Sequence, residues 1–191
     1  MITGVILAGG MSRRMGGVDK GLQLLQGRPM LRWVIDRFRP QVDRLLINAN
    51  RHQAEYADFG CQVISDVFPG FAGPLAGLHA AMVTSGDELV ACVPCDSPFL
   101  PADLVSRLLS GLNAVDAAVA VARTEQRRQP VFNLCRRDVL PKLTDFLSNG
   151  GRKVDLWLAS VPVVELTFAD GGAFENLNTS EDLSRCAKQD V

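Results

Sequence analysis

The sequence predicts an α/β fold in which a mostly parallel, twisted sheet lies between two layers of helices. Three observations lead there. Short apolar runs of strand length recur along the chain, stretches of helical length separate most of them, and the composition suits one compact domain. The chain has 191 residues, 47% hydrophobic and 21% charged, with no internal repeat and no low-complexity linker. A chain of this size buries roughly 70% of its unfolded surface in folding, so residues 1–191 are read as a single domain. Apolar runs without polar alternation are strands covered on both faces. Strands that alternate with helices need the crossover connections of a parallel sheet.

The elements follow in order. TGVILA (3–8) is the first buried strand. After a glycine-rich loop, PMLRWVIDRF (29–38) reads as a helix: Pro29 suits a first turn, and Leu31, Val34, Ile35 and Phe38 share one face. DRLLINA (43–49) and CQVIS (61–65) are the next two strands. GPLAGLHAAMVTSG (73–86) is a helix with Pro74 in its first turn and Gly86 at its stop. ELVACVP (88–94) is the fourth strand and PADLVSRLLSGL (101–112) a helix. DAAVAVA (116–122) and PVFNLC (130–135) are strands separated by a charged link. Residues 138–151 and 154–160 read as helices and VPVVELTF (161–168) as a strand. A last helix opens with Thr179-Ser180-Glu181-Asp182, a capping-box-like start.

Charge and composition exclude several function classes. A formal net charge of −1 argues against a nucleic-acid or membrane-surface binder, which needs a basic face to neutralise phosphates. Met1-Ile2-Thr3 carries no positive region and the apolar run after it stops at Gly9, so it is read as neither a signal peptide nor a membrane span. Five cysteines, an odd count without a secretory signal, point away from a disulfide framework. The expected compartment is the cytoplasm.

In an open parallel sheet the ligand sits beyond the carboxyl ends of the strands, where the strand order reverses. The residues just after each strand therefore matter most. They are Gly9, Gly10, Arg13, Arg14 and Lys20 after the first; Asn48, Asn50 and Arg51 after the second; Asp66 after the third; and Asp96 after the fourth. Glycines let the backbone approach a ligand closely and turn several N–H groups toward phosphate oxygens. Arg14 and Lys20 would neutralise the charge of those oxygens, with help from Arg13. The loop fits neither common phosphate motif: Lys20 is followed by Gly21 rather than Ser or Thr, and Gly9 and Gly10 are adjacent rather than spaced as G-x-G. A different kind of nucleotide site is indicated, carried by a Rossmann-like first half.

Each residue also has a plainer reading. Asp96 suits the cap of a following helix, Asp66 an Asx-turn before VFPG, and Asn48 a backbone bond at a strand end. Their convergence on one sheet edge favours the site. His79, inside LAGLHAAM, reads as a packing or solvent-facing residue rather than a ligand. Cys92-Val93-Pro94-Cys95 invites a thiol-redox reading, but residues three apart on a strand face opposite ways, and no second pair exists for zinc. Cys92 is read as core, Cys95 as a small residue beside Asp96.

LAGGMSRRMGGVDKG (7–21) closely resembles the nucleotidyltransferase signature L-A-G-G-x-S-x-R-M-G-x-D-K, and more narrowly the MobA family, the molybdenum cofactor guanylyltransferases. The likeness continues through INANRH (47–52), ISDVFPGFAGPLAGL (64–78), VPCDSPFLP (93–101), RRQPVFNL (127–134) and ENLNTSEDL (175–183), in the family's order. Ser180 stands where proline often opens the last helix, which should preserve the cap. The resemblance implies a nucleotide-diphospho-sugar transferase-like fold, with residues 1–100 binding nucleotide and 101–191 binding acceptor. It implies transfer of GMP from GTP to molybdopterin with release of pyrophosphate. Arg14, Lys20 and Asp96 would be catalytic, with Asp96 holding Mg²⁺. Leu7, Ala8, Gly9, Lys20, Asn48, Asp66 and Asp96 would bind GTP, and Arg152, Asn176 and Asn178 would lie on the acceptor side. Transient contact with cofactor-insertion proteins or molybdoenzymes is also implied. The doubled Gly9-Gly10 goes with guanine in this family. The alternatives are a cytidylyl or sugar-phosphate transferase of the same fold, or a non-catalytic nucleotide-binding or thiol-redox module.

Overall fold

The computed structural model describes residues 1–8, 19–70, 73–177 and 182. In chain order, β1 (Ile2–Leu7) is followed by a short hairpin, β2 (Leu24–Leu25) and β3 (Arg28–Pro29), then α1 (Met30–Phe38), β4 (Arg44–Asn48), α2 (Gln53–Ala57) and β5 (Gln62–Ile64). Next come α3 (Pro74–Ser85), β6 (Leu89–Pro94), α4 (Leu104–Ala114), β7 (Val119–Arg123), β8 (Arg128–Arg136), α5 (Leu140–Ser148), α6 (Val154–Leu158) and β9 (Val163–Thr167). Seven strands form one sheet in the order β5-β4-β1-β6-β8-β7-β9. Only β8 runs against the others: it pairs antiparallel with β6 and with β7, and the remaining pairs are parallel. From β1 the chain builds outward through β4 to β5, then returns to place β6 on β1's other flank. The strand order therefore reverses at β1.

Alternation along β1 assigns the two faces. Ile6 packs with Leu31, Val34, Ile35 and Phe38 of α1, Tyr56 of α2 and Leu104 and Leu108 of α4. Val5 packs on the opposite face with Leu75, Leu78 and Met82 of α3, Leu143 and Leu147 of α5 and Trp157 of α6. Each fully buried aliphatic or aromatic side chain contributes about 1.5–3 kcal/mol, so both helical layers are held by the sheet rather than by intrinsic helicity. Gly4 shows how tight the first face is: a Cβ there would lie 2.7 Å from the Phe38 ring. Helix α3 begins after Gly73 and ends at Gly86, both with positive φ, and is buried continuously from Leu75 to Met82 between sheet and α5.

The structure departs from the sequence reading in instructive places. The hairpin β2–β3 turns on Gln26 and Gly27, both at positive φ, and seats Leu25 and Met30 in a small separate cluster with Leu177. Its two-residue strands and the five-residue α2 are too short for a periodic pattern to reveal. Helix α4 begins at Leu104 rather than 101: the residues before it form a turn in which Leu104 N–H donates to Pro101 O at 3.2 Å, and Val105 N–H, without an intrahelical acceptor, donates to Gln41 Oε1 at 3.0 Å. Strand β8 starts at Arg128, two residues earlier than the apolar run suggests. The helix expected from residue 179 lies outside the described residues, Asp182 excepted.

Candidate active site

Three parallel strands end level with one another. Leu7, the last residue of β1, is in register with Asn48 of β4 on one side and Pro94 of β6 on the other. The ladder then runs one step further, with Ala8 N–H donating to Asn48 O (2.8 Å), Cys95 N–H to Leu7 O (3.1 Å) and Ala49 N–H to Ile64 O (2.8 Å). Whatever follows each strand is therefore delivered to a common edge, at the point where strand order reverses.

Lys20 and Asp96 meet there. Lys20 Nζ lies 3.0 Å from Asp96 Oδ2, and the aspartate side chain is only 8% exposed. Its other oxygen, Oδ1, is buried and has no hydrogen-bond partner among the described residues. Burying half a carboxylate without a partner is costly, so Oδ1 is suited to a positively charged or hydrogen-bonding group from a ligand. A hard divalent cation suits that oxygen: such ions take oxygen ligands and bind through one or two carboxylates plus substrate phosphates. Among the described residues no group of three or more His, Cys, Asp or Glu could hold a metal.

The segment carrying Lys20 is pinned from below. Asp19 is buried and accepts a hydrogen bond from Tyr56 Oη of α2, itself wholly buried. Burial first of all, and then the neighbouring Cys95 and Asp19, hold the phenol far above its ordinary pKa, so Tyr56 is a neutral donor. Gly21 leaves no slack: a Cβ would sit 2.9 Å from Tyr56 Oη and 3.6 Å from Cys95 Cβ. Lys20 is thus aimed at Asp96 by its two neighbours in sequence.

A second polar clamp occupies the β4–β5 side. Asn48 Nδ2 donates to Asp66 Oδ1 (3.0 Å), Asn50 Nδ2 to Asp66 Oδ2 (2.8 Å), and Asp66 N–H to Asn50 Oδ1 (2.9 Å). Asn48 is buried, and Gly77 of α3 packs so closely on it that a Cβ would come within 2.5 Å of Asn48 Oδ1. Asn48 is therefore a support for Asp66, which remains partly accessible.

The remaining expectations separate. Asn176 is brought to the site: it accepts from Ser97 Oγ at 3.1 Å, and Leu177 N–H donates to Asp96 O at 2.8 Å. Arg152 lies by the head of α3, its carbonyl 3.7 Å from where a Gly73 Cβ would be, and its guanidinium donates to Leu147 O and Gly151 O. Gly9, Arg14 and Asn178 lie outside the described residues. His79 packs edge-on against Phe68, and its Nε2 is 3.0 Å from Thr144 Oγ1. Cys92 and Cys95 belong to hydrophobic clusters on opposite faces of the sheet, and both thiols are pushed up in pKa by burial, so no redox pair forms. Sequence reasoning missed the Tyr56–Asp19 bond and the clamp role of Asn50; only the juxtaposition of Asp19 and Lys20 hinted at the first.

Next to Asp96 opens a cavity of about 440 Å³, between Pro94 of β6, Arg127 and residues 128–132 of β8, and residues 175–176. Site and cavity are adjoining compartments at one edge.

The sequence model of the MobA-like NTP transferase domain family matches residues 4–161. The chain is 49% identical over 189 residues to the molybdenum cofactor guanylyltransferase of Shewanella sp. (strain MR-4), covering 98% of this chain and 96% of that one. With the molybdenum cofactor guanylyltransferase of Shewanella sediminis (strain HAW-EB3) it shares 50% identity over 181 residues, 94% of this chain and 92% of the other. Its fold matches the crystal structure of molybdopterin-guanine dinucleotide biosynthesis protein A from Archaeoglobus fulgidus with a TM-score of 0.82 at 23% identity, over 99% of this chain and 100% of that chain. Fold and likeness together make this chain a nucleotidyltransferase. Its particular place follows from the full-length relatives: the chain belongs to the MobA-like family, within the molybdenum cofactor guanylyltransferases.

Proposed function

We propose that the enzyme transfers GMP from GTP to the terminal phosphate of molybdenum-bearing molybdopterin. An oxygen of the acceptor phosphate bonds to the α-phosphorus of GTP, the bond from that phosphorus to the β-phosphate bridging oxygen breaks, and pyrophosphate leaves. The nucleophile is already ionised at neutral pH, so no general base is required. The work left to the protein is alignment and neutralisation of charge.

The observation that carries this reading is the Lys20–Asp96 pair at the strand-order reversal, with Asp96 Oδ1 buried and unpartnered among the described residues. Lys20 and Arg14 neutralise the phosphates and the departing pyrophosphate. Asp96 would hold Mg²⁺, which when bound supplies positive charge to the phosphate oxygens. Leu7, Ala8 and Gly9 offer backbone groups to the nucleotide. Asp66, held by Asn48 and Asn50, addresses its base or ribose. Residues 1–100 thus serve as the nucleotide half and 101–191 as the acceptor half, where Arg152, Asn176 and Asn178 face molybdopterin. The product passes to cofactor-insertion proteins or molybdoenzymes in the cytoplasm.

The test is pyrophosphate release with Mg²⁺ and molybdenum-loaded molybdopterin, comparing GTP, CTP and ATP. Release with GTP alone is expected. Release with CTP would move the enzyme to cytidylyl transfer, and release with none would remove the acceptor.

A further inference from the structure

Beside Asp96 the sheet loses its regularity. Strand β6 pairs with β8 as far as Cys92, opposite Asn133. On the other flank of β8, Val121 also lies opposite Asn133, yet its neighbour Ala122 lies opposite Gln129. One step along β7 therefore corresponds to four along β8, and Pro130, Val131 and Phe132 are thrown out of register. Asn133 Nδ2 donates to Pro130 O at 2.8 Å and bridges the displaced segment. All three displaced residues, together with Pro94, Gln129 and Asn176, line the 440 Å³ cavity. Irregularities of this kind re-aim side chains and cluster near active sites. Here the irregularity makes the wall of a pocket.

Gln129 is the unexplained group in that wall. It is 8% exposed, and its side-chain amide makes no hydrogen bond among the described residues. An amide in a cavity wall that makes no such bond is open to a partner that enters the cavity. The chemistry of that partner can be narrowed. Of the two cations in the wall, Arg128 is committed to Glu165 and lies 3.7 Å from Asp155, whereas Arg127, like Glu175 in the same wall, is exposed. The buried feature of the cavity is therefore a neutral donor and acceptor side by side, which suits the edge of a heterocycle rather than a phosphate. Pro94, Pro130 and Phe132 supply the apolar surface that ring faces need.

The geometry points to Gln129 as a specificity-determining residue for the acceptor: its amide hydrogen-bonds the edge of the acceptor's fused heterocycle inside this cavity. The inference rests on the acceptor proposed above. Distance along the chain supports the placement, since Pro94 is two residues from Asp96 and Asn176 is bonded to Ser97. An acceptor whose phosphate reaches the reacting phosphorus lays its ring in the adjoining pocket.

The test is steady-state pyrophosphate release by wild type, Gln129→Leu and Gln129→Met, with GTP and molybdenum-loaded molybdopterin varied in turn. Both variants keep the shape and remove the amide. The KM for the acceptor should rise about tenfold, with the KM for GTP, the turnover at saturating acceptor and the melting temperature unchanged. A variant that merely folds badly would move all of these together, and the second variant guards against that. An unchanged acceptor KM in both variants overturns the inference, as does a rise in the KM for GTP instead, which would put the nucleotide in the cavity. If wild type itself releases no pyrophosphate with this acceptor, the functional reading fails and the inference with it.

Discussion

The two flanks of β6 are built differently. On one side β6, β1, β4 and β5 run parallel and in unbroken register. On the other, β8 reverses direction and slips past β7. The regular flank delivers chain ends to one level, which is what charge neutralisation at a shared phosphate requires. The irregular flank gives up ladder hydrogen bonds and gains a hollow. A transferase with two substrates needs both, and this sheet separates them at a single strand.

The largest way to break the comparison is to remove chemistry from the regular flank alone. Asp96→Ala should lower turnover by about a thousandfold while circular dichroism and acceptor binding stay as in wild type; turnover retained with Mg²⁺ would remove the metal assignment. Lys20→Ala should cost about a hundredfold in kcat/KM for GTP, measured by initial rates, again without loss of fold. Tyr56→Phe leaves the buried Asp19 carboxylate without its donor. Thermal melting should show a loss of about 1–3 kcal/mol, and kcat should fall with it because Lys20 is no longer held.

The smallest effect concerns the seam between the flanks. His79 of α3 meets Thr144 of α5, and its buried Nδ1 has no partner among the described residues. Burial lowers its pKa, so the unfolded chain binds a proton that the folded chain resists. Stability is then fully present above the ordinary histidine pKa of about 6.5 and falls as pH drops below it. Denaturant midpoints between neutral and mildly acid pH should fall less for His79→Gln than for wild type.

What the sequence disclosed divides along the same line. Buried parallel strands announce themselves as continuous apolar runs, so TGVILA, DRLLINA and ELVACVP gave both the sheet and the residues at its edge. The facing of Cys92 and Cys95 followed from strand periodicity, and the structure agrees. PVFNLC also read as an apolar run, but neither its antiparallel direction nor its slipped register leaves a mark in one strand's sequence, because both are properties of a pair. Tyr56 and Asp19 are 37 residues apart and were invisible for the same reason. Lys20 and Asp96 were legible as chemistry, and their contact was not.

Tyr56 is the chain's single tyrosine, which makes the lock on Lys20 directly observable. In the unfolded chain a phenol ionises near pH 10, whereas here burial keeps it protonated well beyond that. The phenolate absorbance at high pH therefore comes from one residue in one place. Its appearance counts the molecules in which the lysine-bearing segment has let go, and bound nucleotide should delay it.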